Sequence, residues 1–158
     1  MVTLVPEKRE EVTTEGGLDV IKNKNKLKEI IQLLSDAGIP VSLFVDPVQE
    51  QLENCAEVRA GWVELHTGKY AITRNQARGL ELSVLKESTA KAKSYGLRVN
   101  AGHGLTYQNV EPIAAIEGIE ELNIGHTIIS RALSVGLSQA VKEMKSLIIN
   151  PRKDNCLI

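Results

Sequence analysis

At 158 residues the chain has the length of one ordinary domain, and 42% apolar with 25% charged residues is the composition of a soluble globular protein. Nineteen basic against twenty acidic residues leave a net charge of −1, which excludes the basic excess of a nucleic-acid or anionic-membrane binder. No run approaches the roughly 18 consecutive apolar residues of a membrane span. The start, Met1 to Lys8, lacks the order of a signal peptide. Cys55 and Cys156 make neither a disulfide framework nor a metal knuckle, and Cys156, third from the end, does not fit a prenylation box. A cytoplasmic protein is expected.

In chain order, Val2–Val5 reads as a first strand. Leu27, Ile30, Ile31 and Leu34 form one face of a helix that stops at Gly38, ahead of Pro40. Val41–Asp46 is the second strand, and a short helix follows around Leu52, Cys55 and Ala56. Trp62–His66 is the third strand. Ala77, Leu80, Val84 and Leu85 mark a helix ending at Gly96, and Leu97–Ala101 is the fourth strand. Leu122–Gly125 is the fifth. A long stripe through Ile129, Leu133, Ala140, Val141, Met144 and Ile148 predicts one final helix. Strands and helices alternating in this way predict consecutive βα units, a parallel sheet, and a single domain over 1–158.

The alternation within the strands narrows the fold. Val41, Leu43 and Val45 oppose Ser42, Phe44 and Asp46; Val63 and Leu65 oppose Trp62, Glu64 and His66; Leu97 and Val99 oppose Arg98 and Asn100; Leu122 and Ile124 oppose Asn123. One face is aliphatic and suits helices. The other is polar in strand after strand, whereas a doubly wound sheet is apolar on both faces. A polar interior is costly unless its groups are paired or meet a ligand. The expected fold is therefore a parallel (βα) barrel of the TIM type whose interior reaches its substrate.

All three histidines, His66, His103 and His126, fall at or just past a strand end, on the rim where barrel active sites lie. Each alone is equally a loop-bonding residue; three on one rim favour chemistry. His103, in Asn100-Ala-Gly-His-Gly-Leu-Thr106, is flanked by glycines that let a ligand approach, and its imidazole suits proton transfer. His126 follows Asn123-Ile-Gly125 at the start of the last helix, where Gly125 and the first helix amides would cradle a phosphate; the plainer reading is a tight turn and a cap. Glu64 and His66 point the same way. Their alternatives are a structural Glu64–Arg98 ion pair or a metal site, the latter without a tight ligand motif. Pro6 to Val20, including Val12-Thr-Thr-Glu-Gly-Gly17, reads as a ligand-closing loop.

Taken together, Leu4-Val-Pro-Glu-Lys-Arg-Glu-Glu-Val-Thr-Thr-Glu-Gly-Gly-Leu-Asp19, Val41-Ser-Leu-Phe-Val-Asp46, Glu64-Leu-His-Thr-Gly68, Val99-Asn-Ala-Gly-His-Gly-Leu-Thr-Tyr107 and Glu121-Leu-Asn-Ile-Gly-His126 closely resemble the pyridoxine 5′-phosphate synthase family. The resemblance implies an eight-stranded barrel that condenses 1-deoxy-D-xylulose 5-phosphate with 3-amino-2-oxopropyl phosphate. The products would be pyridoxine 5′-phosphate, inorganic phosphate and water, with no metal or organic cofactor. By motif, His103 matches the proton donor and Glu64 the transition-state-stabilising carboxylate. Thr13 matches a deoxyxylulose phosphate contact, and Gly104, Gly125 and His126 match the aminoketone phosphate site. The family also suggests a homo-oligomer of several barrels.

The family's amino-terminal strands, with an Asn-x-Asp-His motif, a catalytic histidine and a glutamate base, have no counterpart here. The expectation is an amino-terminally truncated barrel of about five βα units, starting at about the family's fourth strand and inactive alone. Two competitors stay open: another phosphate-binding barrel enzyme, and a non-catalytic phosphate-binding or assembly piece of a barrel.

Overall fold

The computed structural model describes residues 1–6 and 16–154. Thr13, most of the expected ligand-closing loop and Cys156 lie outside the described residues. The elements run β1 (Val2–Leu4), α1 (Lys24–Asp36), β2 (Val41–Val45), α2 (Gln49–Glu57), β3 (Trp62–His66), α3 (Gly68–Ile72), α4 (Asn75–Ser94), β4 (Arg98–Gly102), α5 (Val110–Ala114), β5 (Ile119–Asn123), α6 (His126–Val135) and α7 (Leu137–Asp154).

The five strands are all parallel and lie side by side in chain order, β1-β2-β3-β4-β5. A doubly wound sheet reverses its order at a switch point. Sequential neighbours joined by helical crossovers are instead the units of a TIM-type barrel. The expected fold class holds.

The aliphatic face of the strands packs as expected. Val41, Leu43, Val45, Val63, Leu65, Val99 and Ala101 join Leu27 and Ile31 of α1, Leu52 and Cys55 of α2, Leu85 and Ala92 of α4, and Ile113 of α5 in one buried cluster. Fully burying a side chain of this kind contributes roughly 1.5–3 kcal/mol. Burial alone pushes the Cys55 thiol up to about 12, so it fills the core and is no nucleophile. α1 ends as its sequence predicts: Gly38 takes φ 71°, and the Ile39 amide donates to the Leu34 carbonyl at 2.9 Å.

Five expectations are corrected. The last stripe is two helices, because Gly136 adopts φ 83° and ψ 151° and breaks the chain direction between α6 and α7. In α4 the apolar Leu80 and Val84 face solvent; the sheet is met by Leu85, Ser88, Thr89 and Ala92. That face is small and hydroxylated, with Thr89 Oγ1 donating to the Leu85 carbonyl and Ser88 Oγ to that of Pro47, so apolarity pointed to the wrong side. β5 spans Ile119–Asn123 rather than Leu122–Gly125, with a register shift between Val99 and Asn100. The five-residue helices α3 and α5 lie where no helix was expected.

The fifth correction concerns Arg98. It does not pair with Glu64, because the register sets Glu64 opposite Asn100 and Arg98 opposite Trp62, one layer nearer the amino ends. Arg98 is exposed, stacks on the Trp62 ring with its guanidinium carbon 3.6 Å from the centroid, and forms an ion pair with Glu120. That pair raises the guanidinium pKa and lowers that of the Glu120 carboxyl.

Candidate active site

The inner face of β3 carries Glu64 and then His66, both buried, toward the carboxyl end of the strand. β4 runs alongside in register, so Gly102 lies opposite both His66 and, across the next pairing, Asn123 of β5. Gly102 leaves the Glu64 carboxyl a place that any side chain would contest. A Cβ on it would collide with Glu64 Oε1 and come within 3.2 Å of the Asn123 Cβ. The missing side chain lets the Glu64 carboxylate reach the Asn123 side chain and bond to it.

Loss of hydration on burial raises the Glu64 pKa above the ordinary carboxylate value. The Asn123 hydrogen bond works against this and the Glu121 charge adds to it. Such a carboxyl keeps its proton to higher pH than a surface glutamate and is a candidate acid, or a hydrogen-bond donor to developing charge. Opposite it the buried Asn100 amide, and one layer lower the buried Ser42 hydroxyl, make no hydrogen bond to another described residue. A dry apolar core would make such groups costly, so the interior is built for polar contents.

His103 follows β4 directly and is exposed at the rim, with φ 83°. Its ring lies 5.2 Å from that of His66 and 6.3 Å from that of Phe44, centroid to centroid. His66 Nδ1 is 2.8 Å from Asp46 Oδ1 at the end of β2. Thr67, wholly buried, carries the next link: its amide and hydroxyl both bond the Gly102 carbonyl. Gly104 also sits at positive φ, 71°, and a Cβ on it would come within 2.7 Å of the Ala71 Cβ.

Across the rim, Gly125 caps α6 and His126 is its first residue. Gly125 has φ −115°, and no side chain caps the helix. Its carbonyl accepts from the Ile128 and Ile129 amides, so the amides ahead of them have no intrahelical acceptor and gather partial positive charge. A Cβ added to Gly125 meets nothing within 4 Å. The glycine is open to solvent here and is not required for packing.

Five of the six residues singled out from sequence therefore meet around one cavity of about 560 Å³: Glu64, His103, Gly104, Gly125 and His126 all line it. Thr13, the sixth, lies outside the described residues. His66 does not line the cavity but backs His103. Sequence reasoning passed over Phe44, Thr106, Thr127 and Ser130, which also line it. Thr127 and Ser130, three apart on α6, were legible as hydroxyls on the cavity side of a helix that starts at His126. Among the described residues no group of three or more metal-ligating side chains is assembled, and no helix is long and apolar enough to cross a membrane.

Residues 1–150 match the family model described as pyridoxal phosphate biosynthesis protein PdxJ. A Prochlorococcus marinus (strain NATL1A) protein named pyridoxine 5′-phosphate synthase is 90% identical over all 158 residues, which are 64% of its own length. One of that name from Synechococcus sp. (strain WH7803) is 67% identical over 154 residues, 98% of this chain and 62% of its own. The chain thus spans somewhat under two thirds of the curated relatives it matches.

Proposed function

The chain belongs to the PdxJ family, and from that premise we propose that it supplies the larger part of a pyridoxine 5′-phosphate synthase site. The reaction would condense 1-deoxy-D-xylulose 5-phosphate with 3-amino-2-oxopropyl phosphate, releasing inorganic phosphate and water. The observation that carries this reading is convergence: a carboxyl held toward its neutral form, a rim histidine and an uncapped helix start face one cavity.

Each group has a role in that proposal. The aminoketone phosphate lies with its phosphate on the first amides of α6 at Gly125 and His126, where backbone donors and the helix dipole favour an anion without a lysine. The Thr127 and Ser130 hydroxyls complete that wall, and Gly104 faces it from beyond the end of β4. Closing the ring requires oxygen to leave as water, and each departing oxygen needs a proton; His103 delivers it. Glu64 stabilises charge at the reacting carbons, and Thr13 holds the deoxyxylulose phosphate. The complete enzyme is cytoplasmic and assembles from several barrels.

The test joins this chain to the part of the Prochlorococcus marinus relative that it does not span, and assays pyridoxine 5′-phosphate from both substrates. Turnover that needs both substrates supports the reading. Phosphate binding without turnover would favour a binding-only role instead.

A further inference from the structure

His103 is one of three non-glycine described residues at positive φ, with Arg59 and Asn75, and the only one of them in the cavity. An L side chain takes up that conformation at a cost, and it persists only where neighbours hold it. The hold comes from the end of β3. Thr67 Oγ1 lies 2.7 Å from the Gly102 carbonyl oxygen and 2.5 Å from that of His103. These carbonyls belong to the two peptide planes on either side of the His103 Cα, so one hydroxyl shared between them restrains both φ and ψ. The Thr67 amide adds a second bond to Gly102, at 2.8 Å.

The ring is backed in the same way. His66 stands 5.2 Å from His103 and 5.1 Å from Phe44, and Asp46 fixes its Nδ1 at 2.8 Å. Gly68 leaves room for it, since a Cβ there would strike the His66 ring, with Cε1 2.9 Å away.

We propose that Thr67, together with the Asp46–His66 pair, forms a positioning clamp that sets the backbone and ring of His103 for proton transfer. This rests on the reading of His103 as proton donor. The clamp touches no cavity-filling ligand itself: Asp46, His66 and Thr67 are not among the residues lining the cavity. Its whole effect passes through His103. Misplacing a reacting group by about 1 Å costs roughly 10²-fold in rate.

The test compares Thr67→Val, which keeps the shape and removes the hydroxyl, with Thr67→Ser, which keeps the hydroxyl. In the completed enzyme Thr67→Val should lower kcat roughly 10- to 100-fold while KM stays within about twofold, and Thr67→Ser should restore most of it. In parallel, side-chain NMR of the 158-residue chain should show the His103 ring resonances displaced by Thr67→Val and by Asp46→Ala, and near their original places in Thr67→Ser. Unchanged kcat in Thr67→Val, or a fall that Thr67→Ser fails to rescue, overturns the clamp. Should the completed enzyme form no product, the synthase reading fails on its own. The NMR comparison then still decides, since His103 resonances indifferent to Thr67→Val would overturn the clamp.

Discussion

The two walls of the cavity are made in opposite ways. On the β3–β4 side the functional groups are held by their neighbours: Glu64 beside Gly102 and by a bond from Asn123 at the end of β5, His66 by Asp46 and Gly68, the His103 backbone by Thr67. On the β5–α6 side there is almost no fixing. β5 is mostly exposed, α6 has no buried residue among its ten, and Gly125 has open space around it. Proton transfer depends on the position and proton affinity of one side chain, which requires packing and desolvation. Anion capture by helix amides needs only a helix start facing the ligand. A loose wall is sufficient for the second task and not for the first.

The comparison predicts that damage to the tight wall appears in kcat and damage to the loose wall in binding. The largest effect should come from His103→Ala in the completed enzyme, with kcat down 10²–10⁴-fold and little change in KM. Steady-state kinetics with each substrate varied in turn would check it. An equal rise in KM with kcat intact would move His103 from chemistry to binding.

Next in size is Gly125→Ala. The backbone there accepts any residue and a methyl group clashes with no protein atom, so the variant should fold with an unaltered melting temperature. The methyl would occupy the space proposed for the anion, and on that proposal it should weaken aminoketone phosphate binding by roughly 10- to 100-fold, the worth of a charge-assisted hydrogen bond or so. Calorimetric titration gives the affinity. Gly104→Ala provides the contrast: at φ 71° and with Ala71 within 2.7 Å, it should destabilise the fold as well. If both glycine variants behaved alike, the two walls would not differ as described.

A third prediction uses the open side directly. β1 and β5 are each paired on one edge only among the described residues, and α6 exposes Ile129 and Leu133. The 158-residue chain expressed alone should self-associate through this side and show little or no synthase activity. Ile129→Lys with Leu133→Lys should weaken that association by about tenfold or more, given roughly 1.5–3 kcal/mol for each large apolar side chain buried. Light scattering across a concentration series would show a smaller mass for the double variant. A monomeric parent chain with full turnover would refute it.

The tight wall was also the more legible one in sequence, though not throughout. Period-two alternation gave the inner face of β2 and β3, so Glu64 and His66 came out on one side of the sheet. β4 was harder. Alternation gives the face of a side chain but not the cross-strand register, so Arg98 was paired with Glu64, whereas the β3–β4 register sets it opposite Trp62 and its partner is Glu120. Thr67 and Asp46 stood inside quoted motifs but gave no sign of what they bond, because their partners lie 36 and 20 residues away. On the loose wall Gly125 and His126 were placed by local signals alone, a strand end, a glycine and a helix. The break at Gly136 was missed because the apolar stripe continues across it while the backbone does not.

The smallest predicted effect tests whether burial tunes the tight wall. The Glu64 pKa is raised in the folded chain, chiefly by lost hydration, so folding favours its protonated form. Linkage fixes the sign. The folded state binds the proton more tightly than the unfolded one, so the stabilisation is fully present below the unfolded glutamate pKa and is lost as pH rises through the folded value. Glu64→Gln removes the charge while retaining an amide that can bond Asn123. The variant should be more stable than the parent near neutral pH, and its advantage should shrink as pH falls into the ordinary carboxylate range. Melting temperatures of both proteins across that range, in one buffer series, give the difference directly. An advantage that grew on acidification would mean that Glu64 is held as a carboxylate by its neighbours, and that the tight wall positions this group without shifting its proton affinity upward.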